Sequence, residues 1–73
     1  MYRNATVEFI KQGLTHSIVM QGVAAGNTAN INTIDKLYKE EHIFAEEYKV
    51  LKQFNTWLYN YSTRLESRRI NNE

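Results

Sequence analysis

The chain has 73 residues, 42% of them hydrophobic, with a formal net charge of +1 and neither cysteine nor proline. A length of this order holds one domain and buries only about 60% of the surface of the unfolded chain, so the core calls for a supplement, and without cysteine that supplement is neither a disulfide nor a thiolate-held metal. The near-neutral balance lacks the strongly basic footprint of a nucleic-acid binder, and apolar runs no longer than Ile18-Val19-Met20 fall far short of the ~18 residues a membrane span needs. Met1-Tyr2-Arg3-Asn4 does not have the basic-then-apolar order of a secretory leader, which sets the expectation of a cytoplasmic protein.

Residues 4–25 admit two readings. As a helix, Val7, Ile10, Leu14 and Ile18 share one face, Asn4 caps the start, and Ala24-Ala25-Gly26-Asn27 forms a natural end. As a β-hairpin, Thr6–Phe9 and Leu14–Ile18 alternate around Gln12-Gly13, and Gly13, Gly22, Thr6 and Thr15 lower the helical propensity. An isolated two-stranded sheet is marginal and no third strand is in view, so helix is favoured.

Gly26-Asn27-Thr28-Ala29-Asn30-Ile31 reads as a connector, because glycine and asparagine tolerate left-handed backbone and asparagine caps helices. Asn32 then serves as an N-cap, with Asp35 in the first turn. From there Leu37, Phe44, Leu51, Leu58 and Leu65 recur every seven residues, Ile34, Tyr48 and Asn55 fall at the companion position, and Tyr38, Ala45, Phe54 and Tyr61 widen the stripe. Such spacing predicts one amphipathic helix over 32–69, about 55 Å long. The expected fold is therefore all-α: a helical hairpin in a single domain (4–25, 26–31, 32–69), completed as a dimeric bundle. The alternative is α+β, with an N-terminal β-hairpin on the long helix.

The two segments differ in length. A helix over 4–25 is about 33 Å long and would cover its partner only as far as Gln53. That leaves Phe54, Asn55, Trp57, Leu58, Tyr61 and Leu65 beyond the cover; together with Leu51 at its edge they are the candidate interface residues, with Asn55 setting the register of a two-fold pairing. Residues 33–47 carry a net charge of −3 and residues 48–73 one of +3, so antiparallel copies would bring opposite charges together.

Chemistry-bearing motifs are sparse. His42 and Glu46 stand four apart, a spacing that can hold a divalent metal with help from His16, but surface residues explain them as well and no metal site is expected. Ser17, Ser62 and Ser67 lack a nucleophile's strand–turn–helix setting, and Gly13, Gly22 and Gly26 are too scattered for a phosphate loop. Neither catalysis, nor a cofactor, nor a small-molecule substrate is expected. Trp57, Tyr59, Tyr61, Arg64, Arg68 and Arg69 form an aromatic-then-basic run in which Tyr61, Arg64 and Arg68 align. Arg64, Arg68 and Arg69 are the candidates for nucleic-acid contact, although the whole run does not share one helix face. The expected function is thus a non-enzymatic regulator or adaptor that pairs with itself and with another, unidentified protein. A nucleic-acid-binding regulator is one alternative. A phage structural or assembly subunit is the other, in keeping with the Asn-, Ile- and Tyr-rich composition that AT-rich genomes favour.

Overall fold

The computed structural model describes the backbone of residues 2–71 and the side chains of residues 2–68. Among the described residues three helices follow one another: α1, Asn4–Gln21; α2, Val23–Lys39; and α3, Ala45–Asn71. No strand occurs among the described residues, so the all-α expectation stands and residues 4–21 are helical. The breaks fall elsewhere than the local signals indicated. The expected connector, residues 26–31, lies inside α2, and the expected long helix over 32–69 is interrupted at residues 40–44.

A single residue joins α1 to α2. Gly22 takes φ 95° and ψ 163°, a backbone region that residues with a Cβ avoid, and its N–H bonds to the Ile18 carbonyl at 3.0 Å. The chain reverses there, and α1 and α2 run back antiparallel at very short range. At Gly26 an added Cβ would lie 2.7 Å from the Ile18 Cα, so only glycine allows this approach. Gly26, read as a helix end, is instead the residue that lets the backbones of two helices come together.

The second break contains no glycine. Glu40 ends α2, and Glu41 takes the left-handed φ of 63°. The Glu41 N–H bonds to the Tyr38 carbonyl at 3.0 Å and the His42 N–H to the Leu37 carbonyl at 2.8 Å. This pair of bonds is the Schellman arrangement, usually built on glycine or asparagine. Ile43 follows and is buried in the core. Burial of the isoleucine offsets the roughly 1 kcal/mol cost of left-handed geometry at a residue with a side chain.

α3 then runs antiparallel to α2 and returns along α1. The pairing is marked by Asp35 with Tyr48 and Lys52, and further along by Asn27 and Asn30 with Asn55. Val7, Leu14, Ile34, Ile43 and Leu51 make the core, with Ile10, Leu37, Tyr48, Val50 and Phe54 packed on it. Along α1 the buried residues Val7, Leu14 and Ile18 are the face expected from their spacing, with Ile10 half-buried beside them. Asn4 does not cap this helix: Arg3 holds the N-cap position in an extended conformation. With 27 residues against 18 and 17, α3 outruns its two neighbours, and the molecule measures 47 × 18 × 15 Å.

Candidate functional site

Polar groups buried between the helices come first, since buried titratable groups are where chemistry tends to reside. Glu47 is fully buried. As the third residue of α3 its Oε1 accepts the Phe44 N–H at 2.7 Å, closing the helix N-terminus in the manner of a capping box. The same carboxylate accepts the Arg3 backbone N–H at 2.8 Å, and the Arg3 Nε and Nη2 at 3.0 Å each. Arg3 also donates to the His42 carbonyl at 2.7 Å and lies 4.7 Å over the Phe44 ring. The hydrogen bond from Arg3 chiefly, helped by the backbone donors and outweighing burial, holds the Glu47 carboxyl at about 2, well below its ordinary 4.5. Four donors converge on this carboxylate, so it works as a clamp joining the start of α1 to the start of α3.

Deeper in the bundle lies an amide chain. Asn30 Nδ2 donates to the Leu14 carbonyl at 2.9 Å and to Asn55 Oδ1 at 3.0 Å, while Asn55 Nδ2 donates to Asn27 Oδ1 at 2.9 Å. Asn30 and Asn55 are both buried, and the network ties all three helices in one register. A third polar group lies at the surface, where Asp35 accepts the Tyr48 hydroxyl at 2.8 Å and the Lys52 ammonium at 3.3 Å. The tyrosine hydroxyl chiefly, with Lys52, holds the Asp35 carboxyl below its ordinary range.

The expected interface residues divide into two sets. Leu51, Asn55 and Leu58 are buried against α1 and α2, so they belong to the intrachain core and are not free for a partner. Asn55 does set a register, but within one chain. Phe54 is half-buried, while Trp57, Tyr61 and Leu65 stand exposed, Trp57 at 54%. The heptad seam anchored on Leu51 and Leu58 therefore faces inward, and a second stripe faces outward. In it the Phe54 and Trp57 rings are centred 5.9 Å apart, and Trp57 stacks on Tyr61 at 5.4 Å with 12° between planes. Arg64 and Arg68 continue it, bordering a shallow concavity with Tyr61 and Leu65. Trp57 thus joins the line of Tyr61, Arg64 and Arg68, while Tyr59 sits apart, half-buried beside the α1–α2 junction. The Arg69 side chain lies outside the described residues. From Thr63 to Arg68 every side chain is exposed.

The chain shows no match to a protein family, to a curated protein or to a solved structure.

The remaining sequence candidates do not assemble. His42 lies in the α2–α3 loop, 3.6 Å from Glu40, and Glu46 lies in the first turn of α3, so the two do not share a helix. No cluster of three or more metal-ligating side chains occurs among the described residues. None of the helices among them is long and apolar enough to cross a membrane. On the other side of the molecule α1 and α2 flank an open groove of about 390 Å³, with Phe9 on its rim and Leu14 and Ile43 in its lining. Sequence reasoning missed the roles of Arg3, Ile43 and Glu47. For Glu47 a signal existed, since an acid three residues after a helix start is the capping-box position, but the start itself was hidden inside the seven-residue repeat.

Proposed function

We propose that the protein works without catalysis, as a regulator or adaptor whose outer stripe on α3 docks against protein. The observation that carries this is the exposed, mutually stacked pair Trp57 and Tyr61, continued by Arg64, Leu65 and Arg68. Tryptophan, tyrosine and arginine are the residues in which binding energy at protein interfaces concentrates. Leaving such rings in water forgoes roughly 1.5–3 kcal/mol for each large side chain, a notable sum for a chain of this size. Among the described residues the one carboxylate drawn far below its ordinary range, Glu47, has its oxygens committed to Arg3 and Phe44, which supports a structural role for it over a catalytic one.

Trp57→Ala combined with Tyr61→Ala tests the reading. The double variant should keep the far-ultraviolet helical signal of the parent protein. It should lose the proteins that the parent retains on affinity capture from its native host. Identical sets of retained proteins for parent and variant would refute the proposal.

The stripe also favours a second reading, contact with single-stranded nucleic acid, because aromatic faces stack on bases and arginines meet phosphates. In that case affinity for an oligonucleotide should drop steeply between ~50 and ~200 mM salt.

A further inference from the structure

We infer that the partner of the outer stripe is a second copy of the same stripe, paired antiparallel about a two-fold axis between Ser62 and Thr63. This rests on the reading of α3 as a protein-docking helix and names its occupant. Phe54, Trp57, Tyr61, Arg64 and Arg68 follow one another at steps of three, four, three and four, the spacing of a coiled-coil seam. The aromatic members all come first and the arginines last. In an antiparallel pair the two kinds of seam position face each other, so Trp57 of one copy meets Arg68 of the other, and Tyr61 meets Arg64. Each exposed ring receives a guanidinium, and each guanidinium a ring. A parallel pair would instead set arginine on arginine and leave the rings without cations. Phe54 already has Lys11 over its face at 5.2 Å, so its cation is supplied within the chain. The stripe is thus complementary to its own reverse.

The length of the seam sets the strength of the pair. From Phe54 to Arg68 it spans about 21 Å, small beside the roughly 1,600 Å² total of a standard interface. The dimer should therefore be weak and concentration-dependent, forming in the micromolar range or above. Two arginines from each copy along one seam also repel one another. Salt screens that repulsion, so raising it from about 0.05 to about 0.5 M should leave the dimer unchanged or tighten it. Binding to nucleic acid responds in the opposite direction.

The chain lacks cysteine, so single cysteines carrying spin labels report the arrangement directly. Gln53 and Asn60 are exposed and flank the stripe. In the antiparallel pair, labels at Asn60→Cys lie about 7 Å apart along the axis and labels at Gln53→Cys about 28 Å apart. A parallel pair would give similar short separations at both. Sedimentation equilibrium supplies the energetics. The two-fold pair holds two Trp57–Arg68 contacts, so Arg68→Ala should weaken dimerisation about 5- to 900-fold, Trp57→Ala at least about tenfold, and the double variant less than the product of the two, because both substitutions remove the same contacts. Each variant changes only exposed side chains, and an unaltered helical signal verifies that it folds. A monomer up to millimolar concentration overturns the inference, as do equal label separations at the two sites, a dimer indifferent to these substitutions, or multiplicative effects. If the protein is monomeric yet Trp57→Ala with Tyr61→Ala still abolishes capture of host proteins, the docking stripe stands and only its self-pairing falls. A monomer that binds single-stranded oligonucleotides through these residues removes both.

Discussion

The two halves of α3 are built from similar residues and meet opposite fates. Between Ala45 and Leu58 the helix buries Glu47, Leu51, Asn55 and Leu58 against α1 and α2. Beyond that point Tyr61 and Leu65 stay in water, although Leu65 continues the same seven-residue spacing as Leu51 and Leu58. Nothing in the helix itself distinguishes these leucines. What differs is cover, because α1 and α2 end at the Gly22 junction while α3 goes on. Apolar periodicity thus states which way a residue points along a helix, and the lengths of the neighbours decide whether anything is there to meet it.

Truncating a leucine in each half gives the widest contrast. Leu51→Ala should cost about 2–5 kcal/mol, the range for a buried leucine in a packed core, whereas Leu65→Ala should stay within about 0.5 kcal/mol in the monomer. Thermal unfolding at low concentration measures both, and equal melting temperatures would erase the distinction between the halves. Leu58→Asp belongs with the first of these. It would place a carboxylate in the core, so it probes folding and not the outer stripe.

The clamp at the start of α3 ranks next. Glu47→Gln keeps the shape but loses the charge that Arg3 grips, and hydrogen bonds to charged groups contribute about 1.5–3 kcal/mol each. Acidification probes the same bond. The Glu47 carboxyl titrates at about 2 in the folded chain against an ordinary 4.5, so the unfolded state binds the proton more readily. The stabilisation is fully present above the ordinary value and is lost as pH falls from about 4.5 towards about 2. Urea midpoints collected across that window should decline for the parent protein and less so for Glu47→Gln. Parallel curves would show that the clamp carries no pH-dependent stability.

A pair of glycines sharpens the comparison inside and outside the core. Gly26→Ala forces a methyl group towards the Ile18 backbone at 2.7 Å, and overpacking of this kind costs about 1–3 kcal/mol. Gly13→Ala meets nothing within 4 Å and should gain up to about 1 kcal/mol from helix propensity. Opposite shifts in denaturation midpoint are expected. The smallest effect is at the α2–α3 break, where Glu41→Gly relieves the left-handed φ of 63° and should stabilise by up to about 1 kcal/mol. A loss at this position would mean that the Glu41 side chain holds the break.

The divide between the halves also explains what local reading of the chain reached. The buried face of α1 was legible because Val7, Ile10, Leu14 and Ile18 repeat at helical spacing, and the competing hairpin had no third strand to pair with. The exposure of Trp57, Tyr61 and Leu65 was legible too, since any short partner leaves the end of a long helix bare. The burial of Asn55 and Leu58 within the same chain was not. The leucine repeat runs straight across the break at residues 40–44, and Glu40-Glu41-His42 contains neither glycine nor proline to announce it.

Helical content and the amphipathic character of the C-terminal half were determined by the sequence itself, because both rest on propensity and spacing between near neighbours. The places where the helices start and stop belonged to the tertiary structure. Gly26, Asn27, Asn30 and Asn32 are weak helix formers, costing up to about 1 kcal/mol each relative to alanine, yet all four lie within α2. Asn30 is held there by the Leu14 carbonyl and Asn55, Asn27 by Asn55, and Gly26 by the close approach of Ile18. Those partners lie 8 to 28 residues away along the chain. A preference worth a fraction of a kilocalorie per residue yields to bonds made across that distance, and only the assembled bundle brings the partners together.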